Sequence, residues 1–180
     1  AKIKEINGFG VAGLELIPVP NLSQAVVFQI IIEPDFEGYP LVGLGPARNL
    51  IEAKIDYQGI LLSLFFNLHQ VDKETVDNYP IKSFEETTRE IKGGQAQVIQ
   101  ILTADQEERS TPSLEEILAV KITSISVAYY ETTEAQEFYQ PIFLLKGNIS
   151  LKEGEALSAS FILPAISGEY LKPLQEHFRP

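Results

Sequence analysis

With 180 residues, 44% of them hydrophobic and 22% charged, the chain has the composition of a protein that buries a core in one domain or two small halves. Its 14 basic and 25 acidic residues leave a formal net charge of −11, which repels nucleic-acid phosphates and anionic membrane surfaces and favours solubility. Cysteine is absent, so disulfides, zinc ribbons, iron–sulfur ligation and thiol nucleophiles are excluded together.

Methionine is absent too, and with Ala1 as the first residue we expect a segment upstream, a signal peptide or an N-terminal anchor, to have been removed. The longest apolar stretches, 25–32 and 60–66, are far shorter than the roughly 20 residues of a membrane span.

Lys2-Ile3-Lys4-Glu5-Ile6 reads as a short strand, followed by a glycine-rich turn and by Ile17-Pro18-Val19-Pro20-Asn21, which cannot be helical. Residues 25–33 are almost continuously β-branched or aromatic, as in a strand covered on both faces, and Pro34 stops them. A loop through Gly38-Tyr39-Pro40 and Gly43-Leu44-Gly45-Pro46 leads to strands 50–57 and 60–69 around the tight turn Gln58-Gly59.

Ser83-Phe84-Glu85-Glu86 is a capping box and Gly93-Gly94 a stop. Between them we expect a helix of about three turns whose core face carries Phe84, Thr87, Thr88 and Ile91. Residues 95–102 form the next strand, and 103–112 a polar loop or linker. Ser113-Leu114-Glu115-Glu116 starts a short helical turn. Strands 120–131, 139–149 and 156–163 then complete an antiparallel meander, with turns at Gly147-Asn148 and Glu153-Gly154.

The expected fold is α+β, with predominantly antiparallel sheets and one or two short helices packed on them. Residues 1–102 would be a strand-rich half with one helix and 113–180 an antiparallel half, unless the whole is one compact domain. The recurring strand, hairpin and Ser-x-Glu-Glu signals are the pattern that two similar halves would leave.

Chemical motifs are few. Gly8-Phe9-Gly10-Val11-Ala12-Gly13 matches G-x-G-x-x-G, but Pro18 and Pro20 leave no room for the helix whose N-terminus would hold a pyrophosphate. His69 and His177 stand apart, with no ligand spacing and no nucleophile elbow beside them. Glu85-Glu86 and Glu115-Glu116 suit helix starts, adjacent helical carboxylates pointing about 100° apart, and Glu107-Glu108 belongs to a charged loop. Asp105-Gln106-Glu107-Glu108 lacks the alternating oxygen ligands of a calcium loop. Asn21-Leu22-Ser23 and Asn148-Ile149-Ser150 match the glycosylation sequon. No catalytic, cofactor-binding or metal-binding residue is expected. Aromatic residues crowd the last third of the chain, and Tyr129, Tyr130, Tyr139 and Phe143 are the candidate interaction surface, with Phe138 and Tyr170 nearby in sequence.

From Gly43 onward the order of signals resembles the extracytoplasmic regulatory domains of the YycI type and their PepSY-like relatives. The resemblance rests on Gly45-Pro46 before a hairpin, Pro80-Ile81-Lys82-Ser83-Phe84-Glu85-Glu86 leading a helix into Gly93, and Val127-Ala128-Tyr129-Tyr130. It continues through Tyr139-Gln140-Pro141-Ile142-Phe143 with Gly147, and Leu163-Pro164-Ala165-Ile166. It implies a non-enzymatic domain outside the bacterial membrane, tethered by an N-terminal helix, that regulates a sensor histidine kinase or a second regulatory domain through protein contacts. The alternative expectation is an envelope ligand- or polymer-binding module that uses an aromatic sheet face.

Overall fold

The computed structural model describes residues 1–13, 15–43, 50–68, 78–105, 107–131 and 139–170. The chain falls into two compact units, one of Ala1–Val71 with Tyr129–Tyr139, the other of Asp72–Ala128 with Gln140–Pro180. The polar stretch 103–112 lies within the second.

The first unit is built on a five-stranded antiparallel sheet. Its strands are β1 (Lys2–Ala12), β2 (Glu15–Pro18), β3 (Val27–Glu33), β6 (Ile51–Asp56) and β7 (Leu61–Phe66), in the order β2-β1-β3-β6-β7. A small hairpin of β4 (Asp35–Phe36) and β5 (Tyr39–Gly43) follows β3, and β5 pairs in parallel with the last residues of β9 (Ile117–Glu131), Leu41 opposite Tyr129.

β1 does not stop at Ile6 as the glycines suggested. It runs on through the whole Gly-x-Gly segment to Ala12, and the glycines serve packing instead. A β-carbon on Gly8 would lie 2.9 Å from that of Ala25 and 3.0 Å from Leu22, and one on Gly10 would lie 3.0 Å from Val19. The crossover 19–25 is thereby laid directly on the strand, fastened by Val19 N–H to Gly8 carbonyl at 3.0 Å and Val26 N–H to Phe9 carbonyl at 2.8 Å. The turn around Gln58-Gly59 forms as read from the sequence, because Asp56 accepts through its carboxylate from the amides of Gln58 at 2.9 Å and Ile60 at 2.8 Å.

The second unit holds β8 (Gln97–Leu102), most of β9, β10 (Gln140–Leu151) and β11 (Ala156–Pro164), ordered β9-β10-β11-β8, with the helix α1 (Phe84–Lys92). Phe143, Leu145, Ile149 and Leu151 of β10 stand opposite or beside Leu163, Phe161, Ala159 and Leu157 of β11, and Ile101 of β8 joins them in one buried cluster. Ile91 of α1 packs against this cluster and Thr87 is buried. Phe84, expected on the core face, is 76% exposed. It is the first helical residue, one turn before Thr87, and the cluster does not reach it.

The N-terminus of α1 is held by the expected capping box. Ser83 Oγ accepts from the Glu86 amide at 3.2 Å, and the Glu86 carboxylate accepts from the Ser83 amide at 2.9 Å. Ser113 and Glu116 repeat half of this device, the Glu116 carboxylate accepting from the Ser113 amide at 2.7 Å, but the chain turns only once before β9 begins at Ile117. The turn expected at Gly147-Asn148 is not a turn. Both residues lie inside β10, and a β-carbon on Gly147 would sit 2.3 Å from the carbonyl oxygen of Lys121 on β9. The antiparallel α+β class anticipated from the sequence is the class observed.

Two outcomes follow from this packing. Gly147→Ala forces β9 and β10 apart and should cost about 1–3 kcal/mol or more, read from the urea midpoint, because overpacking against backbone cannot be relieved by a rotamer change. The hydrogen bonds from Ser83 hold the Glu86 carboxyl below its ordinary pKa, so its contribution to α1 is complete above the ordinary carboxylate range and is lost as pH falls through the depressed value. Backbone chemical shifts of α1 should therefore move toward coil on acidification, and Glu86→Gln should abolish that movement.

Candidate functional site

Both histidines, His69 and His177, lie outside the described residues. Among the described residues no group of three or more His, Cys, Asp or Glu side chains could hold a metal ion. Glu86 and Glu116 are engaged as helix-start and turn acceptors. In the acidic loop, the Thr103 hydroxyl accepts from the Glu107 amide at 3.2 Å, and Arg109 pairs with Glu155. A groove of about 390 Å³ lies along the outer side of α1, lined by Phe84, Glu85, Thr88, Arg89 and Lys92, but one helix supplies all of it. No helix among the described residues is long and apolar enough to cross a membrane.

The four aromatic candidates are not one surface. Phe143 is 8% exposed in the core cluster of the second unit, and Tyr130 is 6% exposed. Tyr129 and Tyr139 do meet, in the first unit, around a residue the sequence reading had passed over. The Phe36 ring stands edge-on to Tyr129 at 5.5 Å and to Tyr139 at 5.8 Å, and Tyr39 stands edge-on to Tyr129 at 6.0 Å. The β4–β5 hairpin brings Phe36 and Tyr39 there, and the parallel pairing of β5 with β9 brings Tyr129. Partial burial, with the nearby Glu37 carboxylate and Tyr39, raises the pKa of the Tyr129 phenol. Tyr170 stacks at a tilt on Tyr79, 5.1 Å away, in the second unit, and Phe138 lies outside the described residues.

The largest feature is one that the sequence reading did not single out. Side chains alternate between faces along a strand, and register shifts between Ile3 and Glu5 in β1 and between Ser63 and Leu61 in β7 reset the alternation, so the pairing of the five-stranded sheet sorts its residues into cross-strand rows. One row runs Ile3, Ile32, Ile51, Phe66. The next runs Ile6, Ile30, Ala53, Leu64, and the third Gly8, Phe28, Ile55, Leu61. All twelve positions are apolar. The opposite face carries Asn7, Gln29, Lys54 and Ser63 in one row and Glu5, Ile31, Glu52 and Phe65 in another.

The buried side chains of these strands belong to that second face: Val27 at 9%, Ile31 at 5% and, beside them in the alternation, Leu50 at 2% exposure. On the apolar face the interior residues Phe28, Ile30, Ile32, Ile51, Ala53 and Ile55 are only partly buried. Its outer residues Ile3, Leu61, Leu64 and Phe66 are 60%, 56%, 59% and 62% exposed. Among the described residues, the crossover 19–25 lies over it at the Gly8 end. With strands about 4.8 Å apart and alternate residues about 6.7 Å apart, three rows across four strands cover about 20 by 20 Å, or about 400 Å² in plan. That is at the scale where a contiguous apolar patch marks a binding surface.

The strand edges differ as well. β2, at one edge, is four residues long and carries Glu15 and Pro18, both of which discourage further pairing. β7, at the other, reads Leu-Leu-Ser-Leu-Phe-Phe with neither charge nor proline. The signal that could have located the face was the alternation in Ile51-Glu52-Ala53-Lys54-Ile55-Asp56, which is apolar on one side only; the unbroken apolar run of β3 conceals it.

Compared with protein-family models, with curated proteins and with solved structures, the chain matches none. The function must be argued from the site.

The phenol of Tyr129 should titrate above the ordinary tyrosine range in an ultraviolet pH titration, and Tyr129→Phe should delete that late step. Phe36→Ala, which opens the site to water, should bring the step back toward the ordinary value.

Proposed function

We propose that this chain is a non-enzymatic domain that acts through protein–protein contacts, with the open apolar face of the first unit as its docking surface. The observation that carries the reading is the set of three uninterrupted apolar rows from β1 to β7, free of charge and exposed at their ends except at Gly8. Such a face gains by exclusion of water and offers no group that could do acid–base, nucleophilic or metal chemistry. The net charge of −11 argues against nucleic acid and anionic lipid as the occupant. The resemblance to YycI-type and PepSY-like domains supports placing the protein outside the bacterial membrane, held there by an anchor. On that reading it regulates a sensor kinase or a second regulatory domain.

A second reading has its own observation, the Phe36, Tyr39, Tyr129 and Tyr139 cluster, with Tyr39 46% exposed. On this reading the cluster holds a small ligand or an envelope polymer by stacking. It is the weaker of the two, because the rings already meet one another edge to face and leave less open ring surface for a ligand.

Photo-reactive side chains at Ile6, Leu64, Lys54 and Tyr39, placed one at a time in the full-length protein in its native envelope, separate the two. Protein adducts at Ile6 and Leu64, with none at Lys54 on the opposite face, are expected. Equal protein adducts at all positions would overturn the docking face, and polymer or small-molecule adducts confined to Tyr39 would transfer the function to the aromatic cluster.

A further inference from the structure

The apolar face of the first unit has the dimensions and chemistry of one half of a β-sandwich, and we infer that its occupant is a second copy of the same face. The inference rests on the docking reading above and names the partner. Three physical features favour this partner.

The first is width. A packed helix is about 10–12 Å across, so a single helix from another protein would cover about half of a face about 20 Å wide and leave two strands wet. A second four-stranded face covers all of it, at the roughly 10 Å spacing at which sheets pack. The second is area. Two faces of about 400 Å² in plan remove about 800 Å² from water before the corrugation of the side chains is counted, which brings the contact near the lower end of specific interfaces at about 1,200 Å² of accessible surface. The third is charge. Two molecules that each carry −11 repel one another wherever their acidic surfaces meet, and these rows are where none of the acidic residues stands.

The side chains also suit a self-complementary contact. Ala53 leaves a depression within the rows, and Phe28 and Phe66 are the large side chains available to fill it from the other copy. A two-fold axis lying between the two faces and parallel to them brings that depression toward the partner's bulk.

Sedimentation velocity over a dilution series reads the association directly. The wild-type chain should sediment as a dimer. Leu64→Glu, at an edge-strand position already 59% exposed, should sediment as a monomer with an unchanged far-ultraviolet circular dichroism spectrum. Because the chain has no cysteine, single thiols give an independent check. Ala53→Cys should form a covalent dimer with a short thiol–thiol cross-linker, and Lys54→Cys, on the opposite face, should not. A wild-type monomer at every concentration, or a dimer untouched by Leu64→Glu and cross-linked equally from Lys54→Cys, overturns the proposal. A monomer that binds an apolar fluorescent dye, and loses that binding with Leu64→Glu, would keep the docking face for a different protein and remove only self-association. A monomer that binds no dye would remove both.

Discussion

A β-sheet has two faces, and a sheet that is apolar on both must find cover for both. That constraint organises the molecule. In the second unit Phe143, Leu145, Phe161 and Leu163 are buried in one cluster, and Ile91 of α1 packs against it. In the first unit Val27, Ile31 and Leu50 are buried on one face, whereas the face of Ile30, Ala53 and Leu64 holds no buried side chain in its three rows, and no α-helix is found among that unit's described residues. The same rule of alternation that buries Ile31 on one side leaves Ile3, Leu64 and Phe66 exposed on the other.

The elements were legible in the sequence to the extent that their signals were local. Ser83 with Glu86, Asp56 before Gln58-Gly59, and the β-branched runs of β3, β9 and β11 each fix structure within a few residues, and each appears where the sequence placed it. The misread glycines share one cause. Gly8, Gly10 and Gly147 read as turns because a glycine's usual local meaning is freedom of φ, whereas here each is required by a distant chain segment that approaches too closely for a β-carbon. No pattern within ten residues of Gly147 announces the carbonyl of Lys121.

The candidate site was harder to read for a related reason. Tyr129, Tyr130, Tyr139 and Phe143 are neighbours in sequence, yet adjacent strand positions face opposite ways, so Tyr129 reaches Phe36 and Tyr130 turns inward. Clustering in sequence is a poor guide to clustering in space for strands. The apolar rows have the opposite character. They join residues 3, 32, 51 and 66, so no window of sequence contains them, and only the register of three strand pairings brings them together.

The acidity of the chain and the neutrality of this face then belong to one physical arrangement. Charge on the opposite face and on the loops keeps separate molecules soluble and apart, and within about 8 Å of screening length at physiological salt it acts only where it is concentrated. The neutral face is left as the place where approach costs least. The energy gained by excluding water from the two faces is opposed by the loss of translational and rotational freedom, about 4–15 kcal/mol. Leu61, Leu64 and Phe66 carry much of this energy, since the outermost strand is the part of the face most exposed to water before contact.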